Sequence, residues 1–359
     1  MRVLIMAGGT GGHVFPALAA AEELRRDGCE IAWMGTRRGL EARLVPAAGI
    51  PIHWIGVGGL RGKGWATRLG APLNLGRALS GALSIVRKLR PAVALGMGGF
   101  ASGPGGIAAW LSRRPLVIHE QNAVPGMTNR VLARFATTVL EGFPGSFPPG
   151  RRARCVGNPV RTTVAAMPAP SERFAGRAGR VRLLIFGGSQ GASILNETLP
   201  KALAMLPADA RPEVWHQAGE RHLDRAAAAY DEAGVEARVE AFVDDVAAAY
   251  GWADLAVCRA GALTIAELAA AGLGAVLVPF AAAVDDHQTR NAEHLAGRGA
   301  AVIMAQQTLT AEALAAMLRE LCSDRPRLQC MAEAARTFAR PNAARDLAQA
   351  CLDAAKEAA

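Results

Sequence analysis

The 359-residue sequence predicts an α/β protein of two similar domains, each a parallel β-sheet wrapped by helices. Three observations carry that expectation. Val3–His13 reads VLIMAGGTGGH, an apolar run that breaks into a glycine loop. Leu183–Ala192 reads LLIFGGSQGA, the same device 179 residues later and half a chain away. Apolar strand-like runs then alternate with helix-like stretches, and parallel neighbours need such crossover connections.

In chain order, Arg2–Met6 reads as the first buried strand. Pro16 suits the first turn of the following helix, and Gly28 its C-terminal stop. Strands are expected at Glu30–Met34, Ile52–Ile55, Ala92–Leu95, Leu116–His119 and Thr137–Leu140, with a short helix over Glu41–Ala48. A longer helix should run from about Pro72 to Leu89, apolar at Leu75, Leu79, Leu83 and Val86. Stretches rich in Pro, Gly and Ala, at 144–150 and 167–179, put the interdomain linker between them. The second half repeats the alternation, with strands at Arg182–Phe186, Glu213–Gln217, Arg238–Phe242, Leu255–Cys258, Ala275–Pro279 and Ala301–Met304. Pro341-Asn342 breaks the final helices, which lets the last one, Ala343–Lys356, return to the first domain. The expected domains are therefore 1–161 plus 342–359, and 162–341.

Composition removes several classes. Hydrophobic residues make up 51% and charged residues 20%, enough for two cores and too apolar for a disordered chain. Six cysteines show no CxxC pair and no metal-ligand spacing, which suits reduced thiols. Val3–Ala21 carries no charge, but its glycines and Pro16 argue against a signal peptide or membrane span. The charge is lopsided. Residues 1–160 hold 20 Lys+Arg against 7 Asp+Glu, and the remainder 20 against 24, so the surplus of +9 belongs to the first half. An anionic partner for that half is implied: nucleic acid, acidic lipid or a phosphorylated substrate.

The glycine loops narrow the chemistry. A strand–loop–helix start brings backbone close to a ligand and aims N–H groups at anions. Helix starts ordinarily attract Asp or Glu, yet the first acid after Gly12 is Glu22 and after Gly191 is Glu197. Two familiar nucleotide patterns fail. GxGxxG breaks at Val14, with no acid ending the second strand, and no GK[ST] exists because Gly62-Lys63 runs into Gly64. What remains is the expectation of a nucleotide held by two half-sites across a cleft.

Seven motifs appear together and in order: GGTGGH (Gly8–His13), GMGGFASGPGG (Gly96–Gly106), HEQN (His119–Asn122), GNPVR (Gly157–Arg161), GGSQGA (Gly187–Ala192), CRAGALTIAE (Cys258–Glu267) and DDHQTRNA (Asp285–Ala292). Across essentially the whole chain this closely resembles the MurG family of bacterial peptidoglycan N-acetylglucosaminyltransferases. The resemblance implies the GT-B fold: two Rossmann-like parallel-sheet domains facing a deep cleft, with the C-terminal helix crossing back. It implies an inverting hexosyltransferase that moves GlcNAc from UDP-GlcNAc to the MurNAc C4 hydroxyl of undecaprenyl-diphosphate-MurNAc-pentapeptide (lipid I), forming lipid II. Its partners would be UDP-GlcNAc, lipid I, an anionic membrane surface and proteins of cell-wall synthesis, with no nucleic acid. Its place would be peripheral, on the cytoplasmic face of the plasma membrane. A UDP-GlcNAc 2-epimerase, a glycolipid glycosyltransferase and a non-catalytic nucleotide-sugar binder are the alternatives.

Carried onto matching positions, the resemblance places Thr10, Gly11 and Gly12 against the donor's sugar and diphosphate, and Asn122 on its GlcNAc side. Arg161 and Ser189 would meet the nucleotide, and Val243 would present backbone to uracil. The turn Ala262, Leu263, Thr264, Ile265, Ala266 and Glu267 would face diphosphate and ribose, with Glu267 accepting ribose hydroxyls and Gln288 holding sugar hydroxyls. Thr264 and Glu267 also fit a helix capping box. His13 is the leading base, since a histidine with an ordinary pKa of roughly 6.5 offers a neutral imidazole near neutral pH; His119 and Glu120 are the other catalytic candidates. No Asp-x-Asp is present, only the adjacent pairs Asp244-Asp245 and Asp285-Asp286, so no metal and no cofactor is expected. Arg61, Lys63 and Arg68 beside Trp65, Leu69, Leu73, Leu75 and Leu79 suit a membrane or acceptor surface.

Overall fold

A computed structural model describes residues 1–56, 71–188 and 191–358, with backbone only at 71–73 and 284. Ser189, Arg61, Lys63, Trp65, Arg68 and Leu69, and the side chain of Leu73, lie outside the described residues. The chain forms two compact units: Met1–Arg161 with Asn342–Ala359, and Thr162–Pro341.

In the first unit, strands β1 (Arg2–Met6), β2 (Glu30–Gly35), β3 (Ile52–Trp54), β4 (Val93–Gly96), β5 (Leu116–Glu120), β6 (Thr138–Glu141) and β7 (Arg154–Cys155) form one sheet. Their order is β3-β2-β1-β4-β5-β6-β7, and each neighbouring pair is parallel. Helices α1 (Gly11–Arg26), α2 (Glu41–Ala47), α3 (Ala71–Leu89), α4 (Gly99–Leu111) and α5 (Met127–Leu132) provide the connections. Strand alternation decides what each face buries. Val3 and Ile5 of β1 pack with Val14, Ala17 and Leu24 of α1, while Leu4 and Met6 pack with α3 and α4 through Ala82, Val86, Ala101 and Ala108. A strand covered on both faces must be apolar throughout, which is why β1 reads as an unbroken aliphatic run.

The second unit repeats the plan with β8 (Arg182–Phe186), β9 (Glu213–Gln217), β10 (Arg238–Glu240), β11 (Leu255–Cys258), β12 (Ala275–Leu277) and β13 (Ala301–Ile303), ordered β10-β9-β8-β11-β12-β13. Its helices are α6 (Thr162–Ala165), α7 (Pro170–Phe174), α8 (Ser193–Ala204), α9 (Leu223–Glu232), α10 (Val246–Trp252), α11 (Ala262–Ala271), α12 (His287–Ala296), α13 (Ala311–Cys322) and α14 (Arg325–Thr337). The last helix, α15 (Ala343–Glu357), belongs to the first unit, where Leu347, Ala348 and Cys351 join the core around Val3 and Ile5.

Three local expectations need correction. Pro16 is the sixth residue of α1, so the helix starts earlier, at the glycines themselves. Arg154–Cys155, within the stretch read as linker, adds a short edge strand to the first sheet. Thr264 is not an N-cap: α11 begins at Ala262 after Gly261, and no side chain caps it. The extra turn puts Thr264 and Glu267 both inside the helix, so a capping box cannot form.

In each sheet the strand order reverses beside the first strand, between β1 and β4 and between β8 and β11. The crevice at the carboxyl ends of strands flanking such a reversal is where open α/β sheets bind ligands.

Candidate active site

Four helices start at those crevices: α1 and α4 in the first unit, α8 and α11 in the second. None has an acid in its first turn and none has a side-chain cap. Elsewhere the chain uses acids freely at helix starts, as with Asp245 accepting from the Ala248 amide at α10 and Asp324 from the Arg327 amide at α14. Bare N-termini keep their partial positive charge for an external anion. Glycine makes the crevices possible. A Cβ on Gly99 would collide with the Gly8 carbonyl, and one on Gly191 with the Ala218 carbonyl, both glycines being at positive φ.

The first glycine loop is anchored from beneath. Glu41 is fully buried and its carboxylate accepts from the Gly9 amide (2.9 Å), the Thr36 amide (3.0 Å) and the Thr36 hydroxyl (2.8 Å). Side chains at Gly8 or Gly39 would strike that carboxylate, and one at Gly35 the methylene that carries it. Thr10 is the exposed N-cap residue of α1, with Gly11, Gly12 and His13 half-buried behind it.

His13 faces a buried polar chain. Its Nδ1 lies 2.9 Å from Oε1 of Gln121, whose Nε2 lies 3.1 Å from Nδ1 of His119; Nε2 of His119 donates to the Gly157 carbonyl at 2.9 Å. His119 has no exposed surface, and burial pushes its pKa down to about 4, so it is neutral. Both of its nitrogens are occupied. Glu120 next to it accepts from the Asn122 amide and side chain, the Gly126 amide and Asn129. Four donors fill the oxygens of a carboxylate that is itself buried. Neither side chain is placed to take a proton from an external group; both shape the loop that presents Gln121 and Asn122. Glu141, paired in register with Glu120 on the next strand, does the same for its loop by accepting from the Gly145 and Phe147 amides. Arg161 stacks its guanidinium over Phe15 of α1 at 5.0 Å.

In the second unit Ala262, Leu263 and Thr264 form the first turn of α11, while Ile265 points into the core and Ala266 is half-buried. Glu267, 6% exposed, accepts from the Tyr250 hydroxyl at 3.1 Å. Gln288 uses Oε1 to clamp two loops, accepting from the Phe280 amide (2.9 Å) and the Ala260 amide (3.3 Å). Its Oε1 is therefore taken up within the fold, and its NH2 group is what it can offer a ligand. Val243 is buried beside exposed Phe242 in the loop after β10.

On the α3 surface, Leu75 is exposed whereas Leu79 packs partly into the core beneath. A second exposed apolar group comprises Phe100, Trp110 and Leu111 of α4 with Met127 and Val131 of α5. Among the described residues no helix is long and apolar enough to cross a membrane.

Sequence reasoning missed Glu41, Gln121, Asn129 and Asn158. Glu41, Asn129 and Asn158 act through backbone groups elsewhere in the chain, and Gln121 through the ring of His13 on another loop, so no spacing rule reveals them. The glycines that cannot carry a Cβ were the one available signal for Glu41.

The glycosyltransferase family 28 N-terminal domain matches residues 3–141 and the corresponding C-terminal domain matches 182–349. Two UDP-N-acetylglucosamine--N-acetylmuramyl-(pentapeptide) pyrophosphoryl-undecaprenol N-acetylglucosamine transferases, from Marinobacter nauticus and Nitrosococcus oceani, are each 57% identical over 99% of this chain and 98% and 99% of their own. The crystal structure of Acinetobacter baumannii MurG superimposes with a TM-score of 0.86 at 40% identity, covering 98% of this chain and 99% of that one. Both family domains, in order and at this identity, leave one placement: the chain belongs to glycosyltransferase family 28, among the MurG transferases.

Proposed function

We infer that the chain transfers N-acetylglucosamine from UDP-GlcNAc to the MurNAc C4 hydroxyl of lipid I, forming lipid II for peptidoglycan. The observation that carries this is 57% identity to the named transferases over 99% of the chain, both domains included.

In this reading the second unit holds the donor. The bare start of α11 meets the diphosphate, Glu267 the ribose hydroxyls, the Val243 backbone the uracil, and the Gln288 NH2 the sugar. Thr10, Gly11 and Gly12 of α1 border the donor's sugar, with Asn122 and Arg161 beside them. His13 takes the proton of the attacking hydroxyl as UDP leaves, in one displacement that inverts the anomeric carbon. Charge builds on the leaving diphosphate, where amides of an uncapped helix are already oriented to receive it. We propose that no metal takes part, and an assay stripped of divalent cations should retain full activity.

With a lipid-linked acceptor, we propose that the first unit docks on the cytoplasmic membrane surface. Support comes from its basic surplus and from the exposed Phe100, Trp110, Leu111, Met127 and Val131, with Arg113, Arg114, Arg130 and Arg134 on the same two helices or just beyond them. Cell-wall synthesis proteins are the further partners this location expects. Paired Phe100→Ser and Met127→Ser should reduce co-sedimentation with anionic liposomes; unchanged binding counts against that face.

The deciding assay supplies UDP-GlcNAc and a lipid I analogue. A β-linked disaccharide product with stoichiometric UDP is expected. UDP release with no sugar on the acceptor, or no release at all, overturns the assignment.

A further inference from the structure

Gln121 is buried and has no part in the chemistry above, yet it stands between two histidines. Its hydrogen bonds can be assigned in only one way. The Gly157 carbonyl is solely an acceptor, so Nε2 of His119 must carry a proton. A neutral His119 then has a lone pair on Nδ1, and the group 3.1 Å away must be a donor. That group is the Gln121 NH2, an orientation reinforced by its second contact, 3.2 Å to the His119 carbonyl. The Asn158 NH2 fixes the Gln121 backbone carbonyl from the other side at 2.9 Å. Gln121 therefore turns Oε1 toward His13, and an oxygen 2.9 Å from Nδ1 requires a proton on that nitrogen. Nε2 of His13 is left with its lone pair, and among the described residues nothing hydrogen-bonds to it. Gly98, at φ +89°, keeps the ring's edge clear, since a Cβ there would sit 2.9 Å from His13 Cε1.

We propose that Gln121, oriented by His119 and the Gly157 carbonyl, is a positioning residue that fixes His13 as the Nδ1–H tautomer and so makes Nε2 the proton-accepting atom. The proposal rests on His13 being the base. Which nitrogen of a histidine is free is set by the hydrogen bond the other makes. Using an amide differs from using a carboxylate: it selects the tautomer without placing a negative charge beside the ring.

The test begins with the wild-type full-length enzyme. Long-range ¹⁵N–¹H correlation on histidine-labelled protein, with His13 assigned by its loss in His13→Gln, should show a protonated Nδ1 and a bare Nε2 in the neutral ring. A protonated Nε2 overturns the proposal. Gln121→Met should let both tautomers appear and lower kcat tenfold or more with KM for UDP-GlcNAc unchanged. Gln121→Glu keeps an acceptor for His13 and should move the acid limb of the kcat/KM profile upward by about one pH unit or more. An unmoved limb, or a Gln121→Met spectrum still purely Nδ1–H, overturns it. If His13→Gln itself retains full transfer, the base assignment fails instead, whatever the tautomer.

Discussion

Each unit buries one neutral histidine in its sheet, and the two differ in where their hydrogen bonds lead. His216 on β9 is as inaccessible as His119 on β5, and burial drives its pKa to about 3. Asn196 gives its NH2 to the Ala218 carbonyl, so its Oδ1 accepts from His216 Nε2 at 3.0 Å. Nδ1 of His216 then accepts from the Tyr230 hydroxyl at 2.8 Å, and there the chain stops, because Tyr230 is itself buried. In the first unit the same logic runs outward through Gln121 to the half-buried His13. A buried neutral histidine is thus a structural part in both places. What differs is the outlet. Among its described residues the second unit has no such outlet at its crevice; it offers a bare helix start, a carboxylate and an amide, groups suited to holding phosphate and hydroxyls.

The sharpest way to break that division is to remove one group from each side. His13→Ala should lower kcat by roughly 10²- to 10⁴-fold, the usual share of a general base, with UDP affinity unchanged. Glu267→Ala should do the reverse. Losing charge-assisted hydrogen bonds worth about 1.5–3 kcal/mol weakens UDP-GlcNAc binding by roughly ten- to a hundredfold, with a small effect on kcat at saturation. Steady-state kinetics beside calorimetric titration of UDP separates the two. Should His13→Ala act chiefly on UDP affinity, proton transfer and donor binding are not divided between the units.

Stability against pH tests the shared half of the comparison. Both histidines have native pKa values depressed below the ordinary 6.5, to about 4 and about 3. As pH falls below 6.5 the unfolded chain takes up protons that the native state refuses. Their contribution is therefore complete above pH 6.5 and is lost as pH falls toward the native values. At pH 5 that loss is about 2 kcal/mol for each histidine, from 1.36 kcal/mol per pKa unit. Denaturant unfolding at pH 7 and pH 5 should show it, and His119→Gln and His216→Gln should each remove their share of the difference. Equal pH dependence in the variants would mean that burial does not hold these rings neutral.

The fold was legible because parallel strands covered on both faces must be apolar runs, and LIM at β1 or LAVC at β11 admits little else. The edges were not. Arg154–Cys155 is too short and polar to register as a strand, and Arg238–Glu240 ends two residues before the apolar run that suggested Phe242. At the crevices, the missing acids after Gly12 and Gly191 signalled open helix starts because a cap is a local feature. The polar chain behind His13 was invisible for the opposite reason. His13, Gln121 and Gly157 come together only once three loops have folded, and the HEQN motif shows the residues without showing that one histidine is sealed and the other reached through glutamine.

The smallest effect expected is also the one that best isolates why the crevice helices are bare. Gly261 caps α11 with extended backbone, φ −64° and ψ 146°, the conformation an N-cap aspartate adopts. A Cβ there would meet only the Thr264 hydroxyl, at 3.5 Å, so the substitution fits. Gly261→Asp should supply the missing cap as Asp245 does for α10, raising stability by a few tenths of a kcal/mol and Tm by about 1 °C. Its charge should also oppose the diphosphate and weaken UDP binding by about 1 kcal/mol, near fivefold. Thr10→Asp makes the same change at α1 and should leave UDP affinity within about twofold while slowing transfer. If both aspartates weaken UDP equally, the nucleotide depends on both helix starts and the units share the donor. If Gly261→Asp gains stability with no loss of UDP, the bare start of α11 is a matter of backbone geometry, and the diphosphate binds elsewhere.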